Sequence, residues 1–320
     1  MAEAMGNCAS AAEEEEASLP LLADWMAKLS PAAQAKPLPN LVIPGSHDSL
    51  TAELRADMGI AIDQPQWLRD MDNASIRKVV QAWSTTQSLS LTQQLEAGVR
   101  YIDFRVAVPS KEPDLFRIVH GLYGILVEEA LRELVAFLQQ HSGEVVICDF
   151  NHFYGMDSEA HLRLQNLIVN ECGSLLAPAG AGEMSGLSVA GLVKQAHQII
   201  VVYAETVGRS ELWYGPGVIR APWADTDKQK ALLAFQSKAL EERGGSGMLF
   251  VSQGILTPRL HDIIARPCGS LKASLALPTT KALVPWLESL SPELRGELNI
   301  VTADFVEAGG FLQYLVQLND

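Results

Sequence analysis

The sequence predicts an α/β fold: a single (β/α)8 TIM-like barrel, with room for irregularity. Three observations predict it. Short apolar runs alternate along the chain with amphipathic stretches of helical spacing. Each run is apolar nearly throughout, as strands covered on both faces must be, whereas the strands of a sandwich alternate. Charged and polar side chains gather at, or just past, the ends of these runs, where a parallel barrel carries its functional groups. A length of 320 residues with 48% hydrophobic content suits one such barrel and does not demand two domains.

The strands are expected in eight places. Residues 41–45 form an apolar run that ends in Pro44-Gly45, just before Ser46-His47-Asp48. Residues 100–105 alternate charged with apolar side chains, so Asp103 and Arg105 share a face. A third run, 115–120, ends in His120-Gly121, a fourth, 145–150, is followed by Asn151, and a fifth, 199–204, contains Tyr203. The sixth, 218–221, has the weakest pattern. The seventh, 247–252, precedes Gln253, and the eighth, 299–305, contains Asp304. Helical spacing is clearest at 125–140, 160–170, 228–242 and 310–318. Residues 1–18, with an acidic run at 13–16, read as a disordered tail, and 19–320 as the barrel. No internal repeat is evident.

Composition excludes some functions. A net charge of −14 argues against nucleic acid, whose phosphates need a basic face, and against adsorption to anionic membranes through Lys/Arg clusters. No apolar run reaches the length of a membrane span, and no basic-then-apolar leader opens the chain. Cys8, Cys148, Cys172 and Cys268 are scattered without ligand-like spacing and read as free thiols of a reducing, cytoplasmic setting. Met5-Gly6-Asn7-Cys8-Ala9-Ser10 has the form of a myristoylation signal, which works only if its glycine follows an initiator methionine.

The strand-end residues carry the chemistry. A guanidinium in an otherwise apolar strand, such as Arg105, requires anionic partners, and Asp103 has the right parity to be one. His47, Asp48, His120 and Asp304 all end apolar runs, a phase that scattered core residues would not keep. Two imidazoles, an arginine and several carboxylates are the parts needed to cleave a phosphodiester without a metal. His141, His161, His197 and His261 sit at helix ends or in loops and read as surface positions, and no zinc-type spacing involves them.

Ile43-Pro44-Gly45-Ser46-His47-Asp48-Ser49, then Gln94-Leu95-Glu96-Ala97-Gly98-Val99-Arg100-Tyr101-Ile102-Asp103-Phe104-Arg105, then His120-Gly121, resemble the X region of phosphatidylinositol-specific phospholipases C. Val146-Ile147-Cys148-Asp149-Phe150-Asn151-His152-Phe153-Tyr154-Gly155-Met156, with Gln253-Gly254-Ile255-Leu256-Thr257-Pro258, looks like the stand-alone eukaryotic X-domain subgroup. The resemblance runs from about residue 40 to the C-terminus. It implies a slightly irregular barrel and a phosphoric diester hydrolase of lipid metabolism and signalling. In such an enzyme the inositol 2-hydroxyl attacks phosphorus, a cyclic phosphate forms and diacylglycerol leaves. By the same resemblance His47 is the general base, His120 the general acid, Asp304 the carboxylate that orients the base and Arg105 the phosphate binder. Asp48 then partners Arg105 and the acid, and Asp103 is a supporting carboxylate.

Calcium-using members carry an asparagine after the first histidine and two acids on the second strand, where this chain has Asp48 and the pair Asp103/Arg105. A cation fixed at Arg105 repels calcium, so catalysis without metal or other cofactor is expected. Asn151 stands where bacterial relatives have a lysine, and Tyr203-Ala204-Glu205 replaces their basic residues. Asn151, Tyr203 and Gln253 are the expected head-group contacts. Trp83 falls where those relatives place an interfacial tryptophan and is the expected membrane contact; Met58-Gly59-Ile60-Ala61-Ile62 and Trp67-Leu68 are further candidates for membrane access, with packing under their loop the favoured reading. The expected partner is phosphatidylinositol or a related phosphoinositide, met peripherally at a membrane. A pocket that binds the head group with little turnover, or a barrel acting on soluble glycerophosphodiesters, would use many of the same parts.

Overall fold

The computed structural model describes residues 21–205 and 208–319. The acidic tail expected at 1–18, with Cys8 and the Met5-Gly6 motif, lies outside them. Among the described residues eleven strands form one sheet: β1 (Ile43–Ser46), β2 (Arg55–Ile60), β3 (Tyr101–Ala107), β4 (Arg117–His120), β5 (Leu122–Leu126), β6 (Val146–Tyr154), β7 (Ile199–Tyr203), β8 (Trp213–Tyr214), β9 (Ile219–Arg220), β10 (Leu249–Gln253) and β11 (Ile300–Ala303). Eight of these pair in parallel in the order β8-β7-β6-β3-β1-β11-β10-β9. β8 and β9 share no ladder, so the barrel is open there.

Two of the expected strands are corrected. Residues 115–120 were expected as a third parallel strand, but β4 is antiparallel to β3, with Val106↔Ile118 and Ala107↔Arg117. Parallel neighbours need a crossover of about a dozen residues or more, and only nine separate β3 from β4. The chain also turns back at once through Gly121 (φ 72) into β5, so β4, β5 and β2 form an antiparallel flap on β3. A side chain at Gly121 would also collide with Ser84. The weak strand expected at 218–221 shrinks to β9, and Trp213–Tyr214 adds a short strand that was not foreseen.

Helices Val127–Gln140, Ser158–Cys172, Gln229–Glu241 and Phe311–Gln317 fall where helical spacing placed them. Helix Ser158–Cys172 starts where Asp157 accepts from the Ala160 amide at 2.8 Å. Helix Ala74–Ser84, in the long excursion between β1 and β3, starts where Asn73 accepts from Ser75 and Ile76.

Strand parity divides the core in two. Ile102, Phe104, Cys148, Phe150, Val201, Tyr203 and Phe250 point outward and pack beneath Leu131, Leu134, Leu164 and Ile168 of the helices. Ile43, Tyr101, Ile147, Ile200, Val202, Leu249, Val251 and Ile300 belong to the other layer, with Trp25, Met26 and Leu38 of the N-terminal segment. That segment covers the N-terminal ends of the strands. The Trp25 indole donates to Gly98 O at 2.9 Å, and Glu144 accepts from the Ala27 amide at 2.9 Å. Glu144 also pairs with Arg100 at 2.8 Å, both side chains being fully buried.

Cys148 and Cys172 are buried free thiols, as expected. Cys268 is instead disulfide-bonded, so the expectation of four free thiols does not extend to it. No helix among the described residues is long and apolar enough to cross a membrane.

Replacing Glu144 by alanine would strand the buried Arg100 guanidinium and leave the N-terminal segment's amides unpaired. A loss of about 3–5 kcal/mol is expected in urea unfolding. A loss below about 1 kcal/mol, the worth of a surface pair, would contradict the anchoring role.

Candidate active site

The open edge of β3 builds the site. β1 occupies the lower part of that edge, at Tyr101 and Ile102, and β4 descends along the upper part, at Val106 and Ala107. The ends of β1 and β4 therefore point at one another. His47 follows the last residue of β1, and His120 is the last residue of β4. Their rings stand edge-on at 6.4 Å between centroids.

Asp48 lies between them, 3% exposed, with its backbone in the left-handed region (φ 42) that aspartate tolerates better than most residues. Its amide donates to Asp103 Oδ2 at 2.9 Å, which fixes the turn. Asp48 Oδ2 is 3.3 Å from His47 Nε2 and 3.2 Å from His120 Nε2, while Oδ1 meets Arg105 Nε. Arg105 Nη2 reaches 3.0 Å from His47 Nε2 and 3.8 Å from Asp103 Oδ2. On the far side of the imidazole, His47 Nδ1 is 2.8 Å from Asp304 Oδ1, just past β11. His120 Nδ1 faces Ser84 O at 2.6 Å. Both nitrogens of His120 thus face oxygens that only accept, the arrangement an imidazolium satisfies.

These contacts set the protonation of the cluster. Burial alone would pull the His47 pKa down, but the Asp48 and Asp304 carboxylates outweigh it and hold the pKa at about 9. Arg105 opposes them, since an arginine N–H and an imidazolium N–H cannot both point along one 3.0 Å axis. Burial raises the Asp48 pKa, and Arg105, His120 and His47 override it to bring it down to about 2. For Asp304 burial prevails over His47 and the shift is upward.

Residues that sequence reasoning passed over hold this geometry. Gln87 Nε2 donates to His47 O and to Ala303 O, both at 2.9 Å, and Thr86 Oγ1 donates to Asp48 O at 3.0 Å. Phe305 N donates to Thr86 O at 2.7 Å. The turn bearing His47 and Asp48 is thereby clipped to the strand end bearing Asp304. The polar Thr86-Gln87 pair after an amphipathic helix was the only signal.

A cavity of about 780 Å³ opens over the cluster, and His47, Asp103, Arg105, His120, Asn151, Gln253 and Asp304 line it. Asn151 Nδ2 donates to Asp103 Oδ1 at 2.8 Å and to Asp149 Oδ2 at 3.2 Å. Gln253 braces the wall through Ala221 O at 3.0 Å. Asp149, Tyr101 and His152 also line it, though none was singled out from the sequence. Asp149 lies two residues before Asn151, and Tyr101 two before Asp103, so parity could have found both. Burial and Asp103 raise the Asp149 pKa to about 6.

Two expectations fail. Tyr203 has the outward parity of Val201: it is fully buried, and its hydroxyl is 2.8 Å from His161 Nδ1, outside the cavity. Ala204 is the β7-end residue that reaches the cavity. Trp83, the expected membrane contact, is 4% exposed, because its face of helix Ala74–Ser84 packs on Leu271, Ala276 and Phe305. The mouth instead carries Trp67 on one side and Trp223 and Leu260 on the other, each more than half exposed. His141, expected as a surface residue, pairs with Asp24 at 2.7 Å.

Among the described residues, two groups have ligand atoms near enough to share a cation: His47, Asp48 and Asp103, and at the surface Asp227, His261 and Asp262. Arg105 already supplies the positive charge inside the first, and Lys228 pairs with Asp227 at 2.7 Å in the second. The first donor set suits the guanidinium it holds better than a metal ion facing that charge.

No protein-family model matches the chain. It is 35% identical over 302 residues to PI-PLC X domain-containing protein 3 of Mus musculus, covering 93% of each chain. It is 37% identical over 301 residues to PI-PLC X domain-containing protein 2 of the same species, covering 93% of this chain and 88% of the relative. To the human PI-PLC X domain-containing protein 1 it is 35% identical over 306 residues, 92% of each. Among solved structures it is similar to the phosphatidylinositol-specific phospholipase C of Listeria monocytogenes, with a TM-score of 0.66 at 18% identity, over 94% of this chain and all of the other. A Staphylococcus aureus phosphatidylinositol-specific phospholipase C gives a TM-score of 0.66 at 15% identity, over 93% and 97%. The fold is thus that of the bacterial phospholipases, and by sequence the chain belongs to the PI-PLC X domain-containing protein family.

Proposed function

We propose that the chain is a metal-independent phosphodiesterase of the phospholipase C type, cleaving phosphatidylinositol to diacylglycerol and an inositol phosphate. The observation that carries the reading is Asp48, one buried carboxylate within 3.3 Å of both imidazoles and ion-paired with Arg105. It sets an acceptor, a donor and a fixed cation around one space.

The inositol 2-hydroxyl gives its proton to His47 Nε2 as its oxygen attacks phosphorus. Asp304 holds Nδ1–H, which leaves Nε2 as the lone-pair side of the neutral ring. Arg105 binds the phosphate oxygens and meets the charge that gathers on them. The glycerol oxygen leaves with the electron pair of the broken P–O bond and takes a proton from His120 Nε2. The products are diacylglycerol and inositol cyclic phosphate. Asn151 and Gln253 contact the head group. The exposed Trp67, Trp223 and Leu260 seat the mouth at a lipid surface, the role Trp83 does not have. A cytoplasmic protein in peripheral contact with membranes fits this reading.

Purified protein in excess chelator should release diacylglycerol from phosphatidylinositol, and a strict calcium requirement would refute the metal-free assignment. His47→Ala and His120→Ala should each lower turnover by about 10²–10⁴-fold. Unchanged turnover in either would remove that residue from the mechanism.

The base works only when unprotonated, so kcat/KM should carry a limb that climbs with pH up to about 9, set by His47. Asp304→Asn removes a carboxylate that raises the His47 pKa. Its kcat/KM limb should shift to lower pH while kcat falls by about 10²-fold or more. A limb that stays in place would detach His47 from it.

Trp67→Ala and Trp223→Ala should raise KM on vesicles and leave turnover of water-soluble glycerophosphoinositol unchanged. Equal effects on both substrates would place these tryptophans in the fold rather than at a membrane.

A further inference from the structure

His120 stands on a lightly supported strand end. β4 pairs with β3 at Ile118 and Arg117, and Val119 and His120 run on past that ladder. Two groups hold the turn that follows. Ser84 O faces the His120 ring at Nδ1, and the residues after β2 grip Gly121 from both sides of its backbone. The Ala61 amide donates to Gly121 O at 2.9 Å, and Asp63 Oδ2 accepts from the Gly121 amide at 2.7 Å. Ala61 and Ile62 in turn pack with Ala107 and Tyr154, the last residues of β3 and β6. A chain of contacts thus runs from the barrel wall through 61–63 to the residue next to His120.

Stability alone does not account for a carboxylate in this place. Asp63 Oδ1 is covered and has no hydrogen-bond partner among the described residues. Burying a polar oxygen unsatisfied costs free energy, so its presence calls for another use. What the carboxylate offers is a charge-assisted bond to the Gly121 amide, about twice as strong as a neutral one. That strength matters at a proton donor, where a displacement of about 1 Å can cost about 100-fold in rate. His47 has no such dependence on 61–63, because Gln87 and Thr86 clip its own turn. The charge of Asp63 also reaches Arg105: burial opposes the guanidinium's charge, and Asp48, Asp103 and, more weakly, Asp63 support it.

Resting on the phospholipase reading, we propose that Asp63 is a positioning residue for the proton donor. Its carboxylate fixes the Gly121 amide and, through the backbone, the place of His120 Nε2 beside the leaving oxygen. Asp63 itself neither gives nor takes a proton in the reaction.

Two water-soluble substrates that differ only in the leaving group test this. Glycerophosphoinositol expels an alkoxide, which needs a proton, whereas the 4-nitrophenyl ester of inositol 1-phosphate expels a phenolate, which does not. His120→Ala sets the pattern: a loss of about 10²–10⁴-fold on the first and of no more than about 10-fold on the second. Asp63→Ala should follow it, with kcat on glycerophosphoinositol down about 30–100-fold, KM within about 2-fold, and the nitrophenyl ester within about 3-fold of wild type. Asp63→Asn keeps a neutral acceptor for the Gly121 amide and should lose no more than about 10-fold on glycerophosphoinositol. The double variant with His120→Ala and Asp63→Ala should be no slower than His120→Ala alone. Equal losses on the two substrates, the mark of a damaged fold or of an effect through Arg105, overturn the proposal. So do unchanged glycerophosphoinositol turnover in Asp63→Ala, an asparagine variant as slow as the alanine one, and a double variant slowed by the product of both losses.

If wild type cleaves neither substrate, the phospholipase reading fails by itself, and amide hydrogen exchange decides whether Asp63 holds the His120 turn. Asp63→Ala should speed exchange at the Gly121 amide by about 10-fold or more and leave the β6 amides as in wild type. Unchanged protection at Gly121 overturns the proposal.

Discussion

The buried carboxylate of Asp48 is the constraint from which the rest of the site follows. A carboxylate at 3% exposure is costly unless every direction it faces offers compensating charge or hydrogen-bond donors. Here those directions are taken by Arg105, His47 and His120, and the three together hold its proton affinity down to about 2. Because Asp48 needs all three, their positions relative to it are set at ion-pair distance. The backbone is committed to the same end. The positive φ at Asp48, the Asp103 oxygen on its amide and the Thr86-Gln87 clip each make sense only if this side chain must sit where it does.

The antiparallel flap is the second half of the same solution. In a regular parallel barrel, neighbouring strand ends lie side by side, and two histidines on adjacent strands would project in the same direction. Ending β1 early and running β4 back along the vacated edge of β3 sets His120 opposite His47, with Asp48 between. The fold gives up barrel regularity at the place where His47 and His120 face each other.

Much of this was legible in the sequence, and the parts that were not have definite causes. His47, Asp48, Asp103, Arg105, His120 and Asp304 could be found because charged groups ending apolar strands have few structural uses. The direction of β4 was also written there: nine residues between β3 and β4 cannot make a parallel crossover, but strand patterns were read without counting the connection. Tyr203 was misplaced because position at a strand end was used without parity. Counting by twos from Ile200 through Val202 reaches Ala204, and the same count finds Asp149 and Tyr101. Trp83 is buried and Trp67 exposed, against expectation, for a different reason. Both lie on helices of the long excursion, and the covered face of Trp83's helix depends on Leu271, Ala276 and Phe305, about 200 residues away. Periodicity within one helix cannot report a partner that distant.

In the proposed mechanism, base strength and base availability pull against each other at His47. Asp304 and Asp48 raise its proton affinity, which makes the neutral ring a stronger acceptor but a scarcer one. With a pKa of about 9, only about one molecule in a hundred carries the neutral ring at pH 7. Arg105 is the counterweight. Its approach to Nε2 is compatible only with the unprotonated ring, so whatever holds Arg105 close favours the form that can act. Asp48 holds it through Nε, on the edge away from the phosphate, and leaves the Nη groups to meet substrate oxygens. In the proposed mechanism a phosphodiester that binds those Nη atoms draws them off Nε2, whose one lone pair is then open to the inositol hydroxyl. On that reading the same nearby cation would neutralise the phosphate and, through its charge, disfavour a proton on the base, two effects that a more distant positive charge could not combine.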